Sequence, residues 1–202
     1  HAYGNGFGPC HEKHDARLEA DRVHYSLKLR THGDPFDATK QAAAKTLIEG
    51  VWNGGFSGKK FHRTGCRRGR ACDCAYDCCK ADFRFDVNFV ASGEHVAVQI
   101  HATVPPAAAY GSSMNGDGGD WGDPALRPTN SYPHEVGHVL GQADEYPAGA
   151  TDPTGVQPAD AVTAGEPNIM SCSNQTVYTR HYRHALAFLN SNAGDTYEIV
   201  PP

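Results

Sequence analysis

The stretch HEVGHVLGQADEY, residues 134–146, predicts a helix that carries a metal site. Its two histidines, His134 and His138, are four residues apart, which on a helix places both side chains on one face about one turn apart. Two imidazoles in that arrangement can hold one cation, and zinc accepts neutral imidazole nitrogen at about 2.0–2.1 Å. We therefore expect a helix from about residue 130 to residue 140 with a zinc site on one face.

The apolar residues of the same stretch predict that the opposite face of this helix is buried. They recur at i, i+3, i+4 and i+7, and at about 100° per residue their stripe lies nearly opposite the two histidines. These residues are Val136, Val139, Leu140 and Ala143. One face should pack on a core, and the histidine face should line a cleft.

Three further residues complete the candidate site. Glu135 lies on the flank between the histidines, where a carboxylate can take a proton from a metal-bound water and later deliver it to a leaving amine. Gly141 can adopt a positive φ, so the chain can leave the helix sharply and return toward the metal. Asp144, six residues after His138, is the natural third ligand, because a carboxylate oxygen binds zinc at about 2.0–2.2 Å.

The pattern HExxHxxGxxD resembles the signature of the metzincin zinc proteases, in which the last position is usually His. The Asp form with a Met close behind is most similar to the snapalysin group. The sequence NIMS, residues 168–171, resembles the Met-turn of metzincins, a tight turn with Met beneath the zinc ligands. The specific match covers residues 129–174, and before residue 129 only the order of strand, helix, strands and motif helix is similar.

This resemblance implies a zinc-dependent endopeptidase that hydrolyses peptide bonds of a protein or peptide substrate by Glu-assisted attack of a zinc-bound water. It implies zinc ligands at His134, His138 and Asp144. Glu135 is implied as the general base and Met170 as the floor of the site. The implied fold is α+β and metzincin-like: a twisted mixed sheet with the active-site helix, then an irregular C-terminal lobe with the Met-turn and a closing helix.

The third ligand has two alternatives in the sequence. Glu145 stands directly beside Asp144, although the offset from the motif favours Asp144. Glu166 would be the ligand in a thermolysin-like arrangement, but Gly141 and Met170 would then be unexplained.

No oxyanion-stabilising tyrosine can be assigned from the resemblance. Some metzincins carry Tyr two residues after the Met, where this chain has Cys172, so Tyr146 and Tyr178 are candidates only. The loop 147–167 should help to wall the substrate pocket, since loops carry specificity.

Apolar alternation predicts strands upstream of the motif, and an alanine-rich stretch predicts a helix. The strands are RVHYSLKLR (22–30), DFRFDVNFV (82–90) and EHVAVQIHATV (94–104), with ASGE (91–94) as a hairpin turn between the last two; the helices are DATKQAAAKTLIEGVW (37–52) and a closing helix in VYTRHYRHALAFLN (177–190). This order predicts one α+β domain over residues 1–202. The resemblance implies that it is a single zinc metallopeptidase domain, with an upper lobe of about 20–141 and a lower lobe of about 142–202.

A cysteine-dense insert, about residues 54–80, interrupts this order. Five of the seven cysteines fall within residues 66–79, and their density predicts disulfides and a secreted or extracellular protein in an oxidising compartment. A second metal site built from thiolates is the competing interpretation, disfavoured because the stretch lacks two clean CxxC pairs. The five are Cys66, Cys72, Cys74, Cys78 and Cys79.

The stretch NGDGGDWGDP, residues 115–124, is expected to be an acidic glycine loop that follows a short edge strand. It offers Asp117, Asp120 and Asp123 as oxygen ligands for Ca²⁺. Their spacing does not fit an EF-hand, so a solvated acidic loop is the favoured interpretation.

The net charge argues against a nucleic-acid partner, and the hydropathy argues against a membrane span. The net charge of −5 argues against general nucleic-acid affinity, and no apolar run approaches the roughly 20 residues of a membrane span. The chain begins at His1 rather than Met, so we expect a mature or excised piece of a longer protein.

Two other functions stay open. One is a cysteine-stapled binding module whose zinc is structural, with His181 or Cys172 as a fourth protein ligand that closes the site. The other is a protease domain cut from a larger bacterial toxin or effector. Water in the fourth coordination position would favour the enzyme over the binding module.

Overall fold

A mixed sheet with helices packed against it forms the framework of the chain. The computed structural model describes residues 14–19, 21–66, 79–103, 112–115, 118–123, 131–142, 144–145, 167–171 and 175–201. In these residues the strands are β1 (Asp15–Glu19), β2 (Arg22–Gly33), β3 (Lys60–Arg63), β4 (Lys80–Phe89), β5 (Val96–His101), β6 (Ser112–Asn115), β7 (Gly118–Gly122) and β8 (Tyr197–Val200), and the α-helices are α1 (Ala38–Phe56), α2 (Ser131–Val139) and α3 (Arg183–Asn192). The predicted α+β class and mixed sheet are confirmed.

The central strand of the sheet is β2. Over the described ranges the strand order is β6-β7-β5-β2-β4-β3-β8, and β1 also pairs with β2. Strands β4 and β5 run parallel to β2, and β7 runs parallel to β5. Strands β1, β3, β6 and β8 pair antiparallel with their neighbours.

The predicted hairpin between β4 and β5 is wrong. Leu29 of β2 is in register with Phe89 of β4 and also with Val96 of β5, so the two strands lie on opposite edges of β2. Gly93 does adopt φ +72°, but the chain that turns there crosses to the other edge of β2. The prediction failed because apolar alternation reports which face of a strand is buried, not which strand lies beside it.

The core consists of the apolar faces that the alternation predicts. These residues are Val23, Tyr25, Leu27 and Leu29 of β2, Phe83, Phe85 and Val87 of β4, and Val96, Val98 and Ile100 of β5, all at most 7% exposed. Helix α1 covers this layer through Ile48, Trp52 and Phe56, each at most 2% exposed. Helix α1 packs on this apolar layer, and α2 packs against α1.

Helix α1 begins where predicted and ends four residues later than predicted. Asp37 is its N-cap, and the Asp37 side chain accepts a hydrogen bond from the Lys40 amide at 2.9 Å. The helix continues past Trp52 to Phe56, and Gly55 permits close packing in this last turn. A Cβ on Gly55 would lie 2.5 Å from Val177 Cβ.

The predicted insert begins with regular structure. Its first residues complete α1, and Lys60–Arg63 form β3, which joins β4 on one side and β8 on the other. Strands β1 and β8 were also missed by the sequence interpretation. Strands this short show too few alternations to be recognised before their partners are known.

The predicted disulfides find no support in the described residues. Neither described cysteine of the insert is at disulfide distance from another described cysteine, and Cys66 carries a free thiol. Cys79 is buried, and its Sγ accepts a hydrogen bond from Arg63 Nη2 at 3.7 Å. The other five cysteines of the chain, Cys10, Cys72, Cys74, Cys78 and Cys172, lie outside the described residues.

The predicted acidic glycine loop is largely a strand, β7. Trp121 is fully buried and stacks on Tyr132 of α2 with ring centroids 4.6 Å apart, and a Cβ on Gly118 would lie 2.9 Å from the Ala97 carbonyl oxygen. Gly118 therefore allows β7 to approach β5 closely, whereas the glycine content alone predicts a loop. Through the contact between Trp121 and Tyr132, strand β7 packs the sheet against the motif helix.

Two of the three candidate calcium ligands have other partners. Asp120 Oδ1 lies 2.7 Å from His101 Nε2, and Asp123 Oδ2 accepts a hydrogen bond from Lys40 Nζ at 2.7 Å. Asp117 lies outside the described residues. Because the two carboxylates face different partners, the described structure does not favour a shared calcium ion.

The predicted closing helix is divided into two parts. Thr179–Tyr182 form a 3₁₀ turn, and α3 follows from Arg183 to Asn192. No helix among the described residues is long and apolar enough to cross a membrane. The lobe boundary near residue 141 stays a prediction.

Candidate metal centre

Helix α2 confirms the predicted motif helix but is buried on all sides. Val136, Val139 and Leu140 are at most 3% exposed, as the apolar stripe predicts, and Ala143 lies outside the described residues. The histidine face is also buried, with His134 4% exposed. Residues 144–145 and the turn Ile169–Ser171 return against this face, and the cleft that the sequence predicts beside it stays a prediction.

Backbone carbonyl groups fix both histidine rings. The Nδ1 of His134 is 2.8 Å from the Ile169 carbonyl oxygen, and the Nδ1 of His138 is 2.9 Å from the Gln142 carbonyl oxygen. A carbonyl can only accept, so each Nδ1 carries the hydrogen and each Nε2 presents a lone pair. Metal-binding histidines are commonly oriented in this way by their other ring nitrogen.

Asp144 completes a converging set of three donor atoms. Its Oδ1 lies 3.1 Å from His134 Nε2 and 3.4 Å from His138 Nε2. Ligands at about 2.0–2.2 Å from a tetrahedral zinc are about 3.3–3.6 Å apart, so these separations suit one small cation. The donor set, two neutral imidazoles and one carboxylate, also suits zinc chemically.

Glu135 belongs to the same cluster. One potential ligand atom from each of His134, Glu135 and His138 lies within 4.8 Å of the others, and together these residues could hold a metal ion. Glu135 is only 6% exposed, and burial raises the pKa of its carboxyl group above the ordinary value, although the two histidines oppose that shift when they are protonated. A buried carboxyl group with a raised pKa is a better proton acceptor than an exposed one.

The Asp144 carboxylate remains ionised. Burial by itself would raise the pKa of Asp144, but the two imidazoles, when they are protonated on Nε2, donate hydrogen bonds to this carboxylate and hold its pKa well below its usual range. An ionised carboxylate is the form that coordinates a metal.

Gly141 provides the predicted exit from the helix. It adopts φ +84°, and the next amide, Gln142 N, donates to the Gly137 carbonyl oxygen at 2.9 Å. This αL turn ends the helix and aims the Gln142 carbonyl at His138. The conformational prediction for Gly141 is therefore confirmed.

The NIMS sequence forms a tight turn beneath α2. The Asn168 side-chain Oδ1 accepts from the Met170 amide at 2.7 Å and from the Ser171 amide at 3.0 Å, which closes the turn. Met170 is fully buried, and a Cβ on Gly137 would lie 2.4 Å from its sulfur. The thioether therefore fills the space that the missing side chain of Gly137 leaves between the two histidines of the helix.

Glu145 lies away from the converging donor atoms. Arg180 donates to both of its carboxylate oxygens, at 3.0 and 2.8 Å, and His181 Nε2 lies 3.1 Å from Oε1. Burial opposes ionisation, but hydrogen bonds from His181 and Arg180 lower the pKa of Glu145 to about 2. The sequence interpretation missed this group, because nothing local links residue 145 to residues 180–181.

Tyr178 and His181 are the remaining site candidates among the described residues. The ring of Tyr178 lies beneath the Arg180 guanidinium at 4.5 Å, and its hydroxyl reaches the Pro167 carbonyl oxygen at 3.5 Å. His181 is buried against Glu145, so it does not act as the fourth ligand suggested for a structural site. Tyr146, Glu166 and Cys172 lie outside the described residues.

Comparison with known proteins yields one distant structural match. No protein-family model and no curated protein matches the chain. The solved structure of myroilysin matches with a TM-score of 0.32 and 15% identity, over 61% of this chain and 52% of that one, so the chain spans about half the length of that structure. The interpretation of the site rests on its own geometry.

Proposed function

We propose that this chain is a zinc-dependent endopeptidase. The observation that carries the proposal is the convergence of His134 Nε2, His138 Nε2 and Asp144 Oδ1 beside the buried carboxyl group of Glu135. Three protein donors leave one position of a tetrahedral zinc open, which is the arrangement of catalytic rather than structural sites. A protein or peptide is the proposed substrate.

The residues of the chain have separate roles in this proposal. His134, His138 and Asp144 hold the metal, and the engagement of both Glu145 oxygens by Arg180 supports Asp144 as the third ligand. When bound, zinc supplies Lewis acidity, which polarises a peptide carbonyl and makes water nucleophilic at neutral pH.

Glu135 performs the proton transfers. Its carboxylate takes the proton from the attacking water as the new C–O bond forms, and later gives a proton to the amide nitrogen as the C–N bond breaks. The donors on the two histidine rings are already occupied by the Ile169 and Gln142 carbonyls, so the imidazoles keep their orientation through the cycle.

The alternative is a binding module with a structural zinc. The near-complete burial of the cluster favours it, because a structural site is closed to solvent and Glu135 lies near enough to both histidines to complete the shell. In that case Glu135 is a ligand, and its amide variant should bind zinc more weakly.

The substitution Glu135→Gln separates the two functions. As a general base Glu135 does not hold the metal, so the variant should keep its zinc while cleavage of an unfolded protein falls by about 10²–10⁴-fold. The measurements are zinc content by elemental analysis and cleavage rate with and without a chelator. Glu94→Gln is a matched control, since Glu94 is ion-paired with Arg30 at 2.6 Å outside the metal cluster.

Each outcome decides between the proposals. Retained zinc with lost cleavage supports the peptidase, and lost zinc supports the structural site. Cleavage by Glu135→Gln at the rate of the parent would show that the base is assigned wrongly. A zinc-loaded parent that cuts none of a broad panel of unfolded substrates would contradict the peptidase itself.

A further inference from the structure

Two adjacent carboxylates after α2 have different partners. Asp144 faces the two imidazoles, whereas Glu145 turns to the 3₁₀ turn Thr179–Tyr182. Contacts that fix the position of Glu145 therefore also restrain the neighbouring Asp144, which is the proposed third ligand.

The contacts of Glu145 are those of a strong anchor. Arg180 binds it with two parallel hydrogen bonds, Nε to Oε1 at 3.0 Å and Nη2 to Oε2 at 2.8 Å. His181 Nδ1 accepts from the Tyr178 amide at 3.0 Å, so the ring hydrogen is on Nε2, which donates to Glu145 Oε1 at 3.1 Å. We call the side chains of Glu145, Arg180 and His181 the carboxylate clamp.

The carboxylate clamp is shielded from solvent. The side chain of His181 is 1% exposed, that of Glu145 is 10% exposed and that of Arg180 is 24% exposed. Bidentate, charge-assisted hydrogen bonds are stronger and more directional than neutral ones, and burial reduces their screening. Removing one partner would leave a largely buried charge without compensation.

The backbone of Glu145 is tied to the same turn that orients a histidine. Glu145 N donates to the Met170 carbonyl oxygen at 2.9 Å, and the preceding carbonyl, that of Ile169, accepts from His134 Nδ1. The turn thus holds the Asp144–Glu145 peptide and the ring of His134 in one fixed relation.

We propose that the carboxylate clamp positions the metal centre, holding the Asp144 peptide so that its carboxylate meets both histidine Nε2 atoms. Glu145, Arg180 and His181 are positioning residues in this proposal, since they act on the metal through the neighbouring Asp144. The inference rests on the proposed function for its metal and deepens it. Groups that orient metal ligands typically contribute 10–100-fold to metal affinity.

The test measures zinc affinity of the full chain by competition with a chelator. Glu145→Gln and Arg180→Gln should each weaken zinc binding by about 10–100-fold, because the third ligand is no longer held in place. The double variant should bind zinc no more weakly than the weaker-binding of the two single variants, because both changes break the same Glu145–Arg180 ion pair. Cobalt bound in place of zinc should change its visible absorption in the variants as Asp144 shifts.

Two further variants separate positioning from general stability. Glu94→Gln also removes the carboxylate of an ion pair with arginine, yet it should leave the zinc affinity unchanged. Arg180→Lys keeps the positive charge but loses the two-point hydrogen bonding of the guanidinium, so it should restore part of the zinc affinity that Arg180→Gln loses. A purely structural role would lower the unfolding temperature and leave the zinc affinity and cobalt spectrum unaltered.

The outcomes distinguish this inference from the proposed function. A Glu145→Gln protein that binds zinc within twofold of the parent overturns the clamp and leaves the peptidase intact. A parent that binds zinc in a clamp-dependent manner but cuts no peptide supports the clamp and overturns the peptidase. A parent that takes up no zinc overturns both.

Discussion

At the scale of single residues, the decisive feature is the protonation pattern of the two histidines. Each Nδ1 donates to a backbone carbonyl, so both Nε2 lone pairs point at the Asp144 carboxylate, where lone pairs alone would repel. A cation or a proton must lie among these atoms to make the arrangement favourable. A metal ion satisfies all three donors at once.

The first prediction concerns His138. Replacing it by Ala removes one of three proposed donors, so His138→Ala should lose the proposed single zinc and the proposed peptidase activity together. Elemental analysis after mild purification measures the zinc. His95→Ala serves as a control, because the His95 ring accepts a hydrogen bond from the Lys28 amide of β2. Full zinc content in His138→Ala would contradict the ligand assignment.

At the scale of elements, the contact between α2 and the turn Ile169–Ser171 holds the site together. Gly137 is the point of contact, since a Cβ there would meet the sulfur of Met170 at 2.4 Å and Trp52 Cζ2 at 3.1 Å. Trp52 in turn donates from Nε1 to the Pro133 carbonyl oxygen at 3.0 Å, so α1 supports the same helix. Little free space remains on this side of α2.

The second prediction compares two helical glycines. Gly137→Ala should lower the free energy of unfolding by about 1–3 kcal/mol, because overpacking outweighs the gain in helix propensity. Gly50→Ala in α1 should raise it by about 0.5–1 kcal/mol, since a Cβ there meets nothing within 4 Å. Urea unfolding measures both. A Gly137→Ala protein as stable as Gly50→Ala would disprove the close packing of Met170.

At the scale of the whole molecule, the proposed zinc ion joins separate stretches of the chain. The histidines lie on α2, which the sheet and α1 support, while Asp144 lies beyond the helix and is tied through Glu145 to the turns at residues 169–171 and 179–182. Binding to the folded state alone must therefore stabilise the entire fold.

The third prediction is that zinc raises the unfolding temperature. Zinc at 100 times its dissociation constant adds about 2.7 kcal/mol, which for a chain of this size corresponds to about 5–10 °C. Calorimetry with zinc, and after a chelator, measures the shift. Calcium at the same concentration should have no such effect, because Asp120 and Asp123 bind His101 and Lys40. An equal shift with calcium would restore the calcium interpretation.

The fourth prediction concerns the cysteine-dense insert. Cys66 carries a free thiol, so Cys66→Ser should change the free energy of unfolding by no more than about 0.5 kcal/mol. Loss of a native disulfide would instead cost about 2–5 kcal/mol. Alkylation of the native protein followed by mass spectrometry provides a direct check, and an unlabelled Cys66 in an oxidised pair would contradict the free thiol.

The sequence alone determined those features that depend on backbone periodicity and on residue chemistry. Alternation at period two identified the buried faces of β2, β4 and β5, and spacing of four placed His134 and His138 on one face of α2. The need for a positive φ identified Gly141 as the exit from the helix. These are local properties, because they follow from a few consecutive residues.

Only the tertiary structure decided which distant segments meet. It placed β4 and β5 on opposite edges of β2 and turned a glycine-rich loop into β7. It buried the histidine face against residues 144–145 and 169–171, and it brought Arg180 and His181 to Glu145 across 35 and 36 residues of chain. Such contacts have no signature in neighbouring residues, since they arise from packing that lowers the free energy only when the whole core is assembled.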